Sequence, residues 1–397
     1  MQTTAHKIGT LGLATATVLG LTAFQSAEAA SLYTVTDLGT LSGRENDPHV
    51  PISINNVGQI VGRSGLLFDE DRRAFLWDNG VMTDLGSLEG LRSEALDIND
   101  SGQIVGHSEI NTPGFFPYAI YPSHAFLWEN GVMTDLGTLG GLISSAISIN
   151  NSGQVVGWAE NEHGEQRAFL WENGEMMDIG TLGGSTSLAR DINNSGQIVG
   201  NAQPTTGGNG HAFLWENGVM TDLGTLGGSF SIPNAINDSG QVVGYVNLSG
   251  GGSFNHRAFL WQDGTMTDLG TLDDLPTSEA LDINNAGQIV GNAYDFDDFL
   301  GQKPFLWENG VMIDINSLFP ADSGFKLFAA NNINDVGQIT GLGWINNIPS
   351  QVLLTPVSDS TPVPEPLTIL GSATALGFGA LFKREHSIRR KKAKSND

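Results

Sequence analysis

An eighteen-residue stretch, HAFLWENGVMTDLGTLGG, begins at His124 and recurs at His211, and looser copies run through most of the chain. Such repetition constrains folding more than composition does, because every copy must take the same local structure and bury its apolar faces against its neighbours. The segment INNxGQIVG appears in recognisable form seven times, from Ile54, Ile98, Ile149, Ile192, Ile236, Ile283 and Ile333. AFLW, once written PFLW, appears six times, with its tryptophans at Trp77, Trp128, Trp171, Trp215, Trp261 and Trp307. Successive tryptophans lie 51, 43, 44, 46 and 46 residues apart, the longest interval marking an insertion.

A period near 45 residues, built of short β-type runs punctuated by Asn-Gly and Ser-Gly pairs, is the scale of one four-stranded propeller blade. The 3.6-residue apolar periodicity that a helical repeat needs is missing. Four strands are expected in each unit, as in VMTDL from Val132, AISI from Ala146, QVVGWA from Gln154 and AFLW from Ala168. Asn150, Asn151, Ser152 and Gly153 supply a turn between the second and third strands, where Asn and Gly tolerate positive φ. Asn173-Gly174 is a two-residue hairpin loop, so the AFLW strand and the MTDL strand after it must be antiparallel neighbours in one blade.

The ends of the repeat array fix its closure. The array opens with YTVTDLGTL from Tyr33, which has no AFLW before it, and finishes with QVLLTP from Gln351, which has no MTDL after it. Seven strands of each type exist only if Val35 to Leu38 pair with Val352 to Leu354. The expected fold is therefore all-β: a seven-bladed β-propeller of four-stranded blades, closed by pairing of the N- and C-terminal strands and so without exposed sheet edges. In AFLW, alternation places Phe126 and Trp128 on one face and Ala125 and Leu127 on the other, as expected of a sheet sandwiched between two others.

Acids outnumber bases 43 to 18, for a formal charge of −25, and seven of the bases lie in the last fifteen residues. An acidic body repels nucleic acid. With no cysteine, disulfides, thiolate metal sites and thiol catalysis are excluded.

Both ends read as addresses. Residues 1–29 combine Lys7, an apolar run from Ile8 and Ala27-Glu28-Ala29, the order of a secretory signal peptide, with signal peptidase as its processing partner. Residues 30–357 carry the repeats, residues 358–366 form a linker ending in Pro364, Glu365 and Pro366, and residues 367–397 supply an apolar run and a basic end. That tail resembles the PEP-CTERM sorting signal, in which Pro-Glu-Pro, a transmembrane helix and basic residues are recognised by an exosortase. The resemblance implies delivery to the cell surface or extracellular matrix; a plain C-terminal membrane anchor is the alternative. The units resemble the HAF repeats of bacterial exported proteins, on His124-Ala125-Phe126 and His211-Ala212-Phe213. Membership implies an extracellular propeller-like protein and little about activity. The first position of the triplet is Arg73, Arg167, Arg257 or Lys303 in other units, which argues against a required histidine.

Chemistry is sparse. No two histidines of the body stand at zinc-ligand spacing. The runs from Asp97, Asp191 and Asp282 echo the opening of a calcium loop but lack its closing acid, and turn capping is the alternative use of such residues. Asp295, Asp297 and Asp298 are calcium candidates in a variable connection; no other cofactor is expected. No catalytic residue is assigned, since nucleophile elbow, phosphate loop and dinucleotide fingerprint are all missing. The longest connection, HSEINTPGFFPYAIYPSH from His107, carries Phe115, Phe116, Tyr118 and Tyr121, suited to stacking on sugar rings or docking a partner. The expected function is that of a non-catalytic exported module binding extracellular polysaccharide or a surface protein. The alternative is a propeller hydrolase or lyase acting on such a polysaccharide.

Overall fold

The computed structural model describes residues 32–41, 49–65, 72–110, 122–205, 207, 209–249, 256–273 and 275–357. Residues 1–29, expected from the sequence to be a signal peptide, Phe115, Phe116, Tyr118 and Tyr121, and the tail with Pro364, Glu365 and Pro366 lie outside them. Among the described residues no helix is long and apolar enough to cross a membrane.

Twenty-eight strands among the described residues, β1 to β28 in chain order, form seven four-stranded antiparallel sheets, the blades of a propeller. Blade 3 is representative: β10 (Gly140–Ile149) is innermost, followed by β11 (Val155–Asn161), β12 (Gln166–Glu172) and β13 (Glu175–Asp178). MTDL is thus the outer strand of the blade begun by the preceding repeat, so a blade and a repeat are offset by one strand. In blade 7, β26 (Phe325–Ile333), β27 (Ile339–Ile345) and β28 (Ile348–Pro356) come from the end of the chain and β1 (Tyr33–Asp37) from its beginning. The register sets Val35 opposite Leu354, Thr36 opposite Leu353 and Asp37 opposite Val352. The expected closure is what the structure shows.

Each Asn-Gly hairpin has both central residues at positive φ, as in Asn173 (55°) with Gly174 (86°), the geometry whose twist matches the flanking strands. Asp263-Gly264 does the same work in blade 5. The glycine of QIVG answers a different need. Opposite it the inner strand bulges, and a Cβ on Gly157 would overlap the carbonyl oxygen of Ser145.

Blades stack by fitting large side chains onto small ones. The phenylalanines of AFLW, from Phe75 to Phe305, are fully buried, and each of those in blades 2 to 6 packs in a cluster with the alanine of the preceding blade's motif. Phe126 meets Ala74, for example, and Phe213 meets Ala168. At the closing joint Leu38 and Leu353 pack against Ile54, Ile60 and Phe75 of blade 1, so the apolar layer is continuous around the ring. A buried serine in the inner strand of each of blades 2 to 6 adds a polar stitch. Ser144 Oγ, for instance, donates to the Gly137 carbonyl and accepts from the Ala125 amide of the preceding blade.

The strongest inter-blade device lies in the Asn-Asn turn. Asn55, Asn99, Asn150, Asn193, Asn237, Asn284 and Asn334 are all nearly fully buried. Each Oδ1 accepts the amide of the glutamine that ends its turn and six of the seven accept a second turn amide, and each Nδ2 donates to the carbonyl of the equivalent asparagine in the next blade, at 2.9–3.1 Å. The last bond runs from Asn334 to Asn55, so the ring has no ends. A second ring runs beside it through Asn56, Asp100, Asn151, Asn194, Asp238, Asn285 and Asp335, each backbone amide donating to the next side chain. The three aspartates of that ring are never adjacent. The glutamine that follows each turn reaches outward to the third strand, as Gln154 does to Glu172 at 3.2 Å.

Two outcomes follow. A Thr36→Cys, Leu353→Cys chain should form its crosslink in folded material and melt several degrees higher when oxidised than when reduced, read by circular dichroism. Asn193→Ala should cost at least ~2 kcal/mol in urea unfolding, because it removes the acceptor of the Ser195 and Gln197 amides and one of the two donors to the Asn237 carbonyl, whereas Asn173→Asp at an exposed hairpin should cost under ~0.5 kcal/mol.

Candidate functional site

The two ends of the propeller differ in what their side chains are used for. The Asn-Asn turns and the Asn-Gly hairpins share one end, here the turn face. The first and last strands of the ring have their outer ends there too, since Thr34 and Thr355 take the place that Glu175 and Glu172 hold beside the hairpin of blade 3. Gln338 reaches Thr355 as Gln154 reaches Glu172. The connections between second and third strands, and those between blades, form the opposite end, the loop face.

On the turn face the channel encloses about 190 Å³ lined by the residues of the DIN motifs. Asp97, Asp191 and Asp282 are the innermost acids. Each carboxylate accepts the isoleucine amide of its own blade and that of the following one: Asp97 from Ile98 and Ile149, Asp191 from Ile192 and Ile236, Asp282 from Ile283 and Ile333. One acid thus serves two blades, which accounts for the alternation of Asp with Ser148, Ala235 and Asn332 at this position. Seven is odd, and blade 1 is left over; its Ser53 hydroxyl donates to Asp97 at 2.6 Å. Burial raises all three acids above the ordinary carboxylate range, against the pull of their amide and hydroxyl donors. Asp191 is pushed up to about 6, with the charge of Asp97 adding to burial. Asp282 is pushed up to about 8, with Asp191 and Asp97 adding.

Calcium was one use the sequence offered for these three residues. Their oxygens are instead occupied by amides and hydroxyls, and among the described residues no three His, Asp or Glu side chains gather as a metal site. Asp295, Asp297 and Asp298 fall on the hairpin joining the second and third strands of blade 6. Asp295 accepts the amide of Asp297 at 3.0 Å and Asp298 accepts that of Gly301 at 3.2 Å. The connection thought to run from His107 to His124 is shorter, because β7 (Ile104–Glu109) and β8 (Ser123–Glu129) pair across it, with His107 opposite Ala125.

The HAF histidine holds an aspartate of the outer strand. His124 Nδ1 lies 2.8 Å from Asp135 and His211 Nδ1 lies 2.9 Å from Asp222, while Arg167 Nε meets Asp178 at 3.0 Å. Arg73 and Arg257 instead donate to groups of the neighbouring inter-blade connection, and Lys303 pairs with Asp273. The position is filled by a side chain that bonds the outer strand or the neighbouring connection, so its tolerance of Arg and Lys has a structural cause.

Loop-face residues that depart from the repeat collect in two places. Between blades 1 and 2, Glu94 stands 3.4 Å from both Arg63 and Arg72, with His107 at 3.9 Å. Burial, helped by the two guanidinium charges, lowers His107 to about 4. Across blades 4, 5 and 6 lies a cavity of about 530 Å³ lined by Asn201, Asn209, Gly210, Phe230, Ile232, Tyr245, His256 and Phe296. Behind its wall His256 Nε2 lies 2.7 Å from Glu279, and the Tyr294 hydroxyl donates to the same carboxylate at 2.7 Å. None of these residues was singled out from the sequence. The available signal was the aligned repeat itself: Tyr245 occupies a column that reads Arg63, His107, Trp158, Asn201, Asn292 and Leu342 elsewhere.

No protein-family model and no curated protein sequence matches this chain. Solved structures do. An oligogalacturonate lyase in complex with manganese superposes with a TM-score of 0.53 at 12% identity, over 83% of this chain and 95% of that one. The β-propeller domain of the Trilobed protease from Pyrococcus furiosus, reported to have an open velcro topology, gives 0.52 at 8% identity, over 77% and 97%. TolB from Acinetobacter baumannii gives 0.43 at 14% identity, and the match covers 76% of this chain and 64% of that one. At these identities the likeness is one of fold. The present chain differs from an open ring in that β1 is hydrogen-bonded to β28.

The buried acids set a pH dependence. A carboxyl whose folded pKa exceeds its unfolded 3.8 holds its proton more firmly when folded, so its contribution is complete below that value and is lost as pH rises through the folded pKa. Unfolding free energy should therefore fall from pH 4 upward, through about 6 for Asp191 and about 8 for Asp282, at about 1.4 kcal/mol per pH unit for each group, and the melting temperature with it. Asp282→Asn should flatten the part of that decline above pH 6, measured by calorimetry across buffers of equal ionic strength.

Proposed function

We propose that this chain is an exported, non-catalytic binding propeller, held by one end and presenting the other. The observation that carries the reading is the division between its faces. On the turn face the repeated side chains are engaged in closing the ring, and the first and last strands have their outer ends on that side. The loop face carries the connections that vary between blades and the roomier cavity, the usual arrangement when a rigid scaffold supports a binding surface.

The tail resembling a PEP-CTERM signal fits this geometry, because an anchor leaving the turn face points the loop face away from the membrane. On this reading signal peptidase removes residues 1–29, an exosortase-type enzyme acts at Pro364-Glu365-Pro366, and the body reaches the cell surface or extracellular matrix. Extracellular polysaccharide or a surface protein is the partner. The acidic body, with its formal charge of −25 for the whole chain, gives nucleic acid no foothold.

Two measurements test it. Fractionation of cells expressing the chain should find it outside the cytoplasm, with Pro364→Ala and Pro366→Ala together leaving it in the membrane fraction. A glycan array read beside a polysaccharide-degradation assay should show retention without turnover. Turnover abolished by a single carboxylate substitution such as Glu279→Gln would replace this reading with that of a lyase or hydrolase.

A further inference from the structure

We propose that the loop-face cavity of blades 4, 5 and 6 binds the ring of a neutral sugar, with Phe230, Tyr245 and Phe296 as apolar walls and Asn201, Asn209 and His256 as hydrogen-bonding groups. This rests on the reading of the body as a binding module, and it adds the site and the chemical class of ligand.

The cavity exists because the repeat is broken there. The residue ahead of the HAF position is Arg72, Ser123, Gln166, His256 or Gln302 in other blades, and Gly210 in blade 4. That glycine is not required by its backbone: its φ is not positive, and a Cβ would have Asn201 Nδ2 at 3.2 Å as its nearest neighbour. What the missing side chain provides is space. The residue ahead of the buried inner-strand serine is Arg92, Ile143, Thr186 or Thr277 elsewhere and Phe230 in blade 5. Three departures, one small and two aromatic, therefore face one another across adjacent blades, and none contributes to closing the ring.

Ring geometry selects the ligand shape. Phe230 and Tyr245 have centroids 6.2 Å apart at 84°, and Phe296 meets His256 at 5.8 Å and 76°. Tyr245 and His256 are tilted at 39° with centroids 4.8 Å apart, so no two of these rings stand parallel to clasp a flat heterocycle. A single aromatic platform with polar groups at its edge matches a sugar ring, which has one C–H face and a rim of hydroxyls.

Charge selects further. No Asp, Glu, Lys or Arg is among the residues that line the cavity, and Glu279 behind its wall is already engaged by His256 and Tyr294. Arg190 reaches the site through Asn201, whose Oδ1 accepts from Arg190 Nε at 3.2 Å. The Arg190 bond also orients the Asn201 amide so that Nδ2 points toward the space over Gly210. His256 is 7% exposed at its side chain, and its Nδ1 has no hydrogen-bond partner. About 530 Å³ accommodates a mono- or disaccharide.

The test is ligand-observed NMR on the full chain in mild detergent, with glucose, galactose, mannose, N-acetylglucosamine and their common disaccharides, and with galacturonate and adenosine as comparators. At least one neutral sugar should bind saturably, and neither comparator should compete. Gly210→Gln restores the residue found at positions 166 and 302 and fills the cavity. It should weaken binding at least tenfold with an unchanged melting temperature, and Phe230→Ala should weaken it about tenfold, the loss of one stacking contact. If no neutral sugar binds, if adenosine binds better, or if Gly210→Gln binds like the unaltered chain, the proposal is overturned. Should Gly210→Gln misfold, Phe296→Ser decides by the same criterion. Glycan-array retention that survives Gly210→Gln would leave the binding-module reading intact and remove only this site.

Discussion

One asparagine per blade, donating to the next blade's turn, is the interaction on which the architecture depends. A stack of β-sheets held by apolar faces alone could continue indefinitely or stop anywhere, because side-chain packing does not count blades. A ring of seven directional bonds does, since the bond from Asn334 returns to Asn55 and leaves no donor over. Because these groups are buried, the penalty for an unmade bond is larger than the net gain from a made one. Closure is thereby specified as well as stabilised, and the pairing of β1 with β28 secures the same joint at the outer edge of the sheets.

The cost of this device is that the turn face has little chemistry to spare. Its asparagines cap turns, its glutamines tie turns to hairpins, and its channel acids each cap two blades. Acids in a propeller channel invite a catalytic or metal-binding interpretation. Here their pairing arithmetic, three carboxylates for six amides with one blade left over, explains both their number and their spacing. Function is displaced to the opposite face, where the repeat permits variation.

Much of this was legible in the sequence because repetition amplifies weak signals. A single Asn-Gly pair marks one hairpin; five of them with one Asp-Gly, 43 to 51 residues apart, mark a blade edge, and the unmatched strands at Tyr33 and Gln351 imply the closure. The turn residues were also recognisable as turn residues. Their inter-blade bonds were not, because a partner some 44 residues away is indistinguishable in sequence from any other asparagine until the ring's radius is known. The aromatic loop drew notice because four aromatics stand close together in the chain. Phe230, Tyr245, His256 and Phe296 did not, because they are spread over nearly seventy residues and converge only when three blades stand side by side. Aligning the blades column by column exposes such sites, since a residue that departs from its column is released from the task the column performs.

Hydrogen exchange followed by mass spectrometry under rising denaturant tests the central claim most directly. If the asparagine ring closes the propeller, the seven turns, four Asn-Asn and three Asn-Asp, should hold similar protection and lose it together, blades 1 and 7 included. Exchange that begins at blades 1 and 7 and spreads inward blade by blade, as in an open linear array, would contradict it.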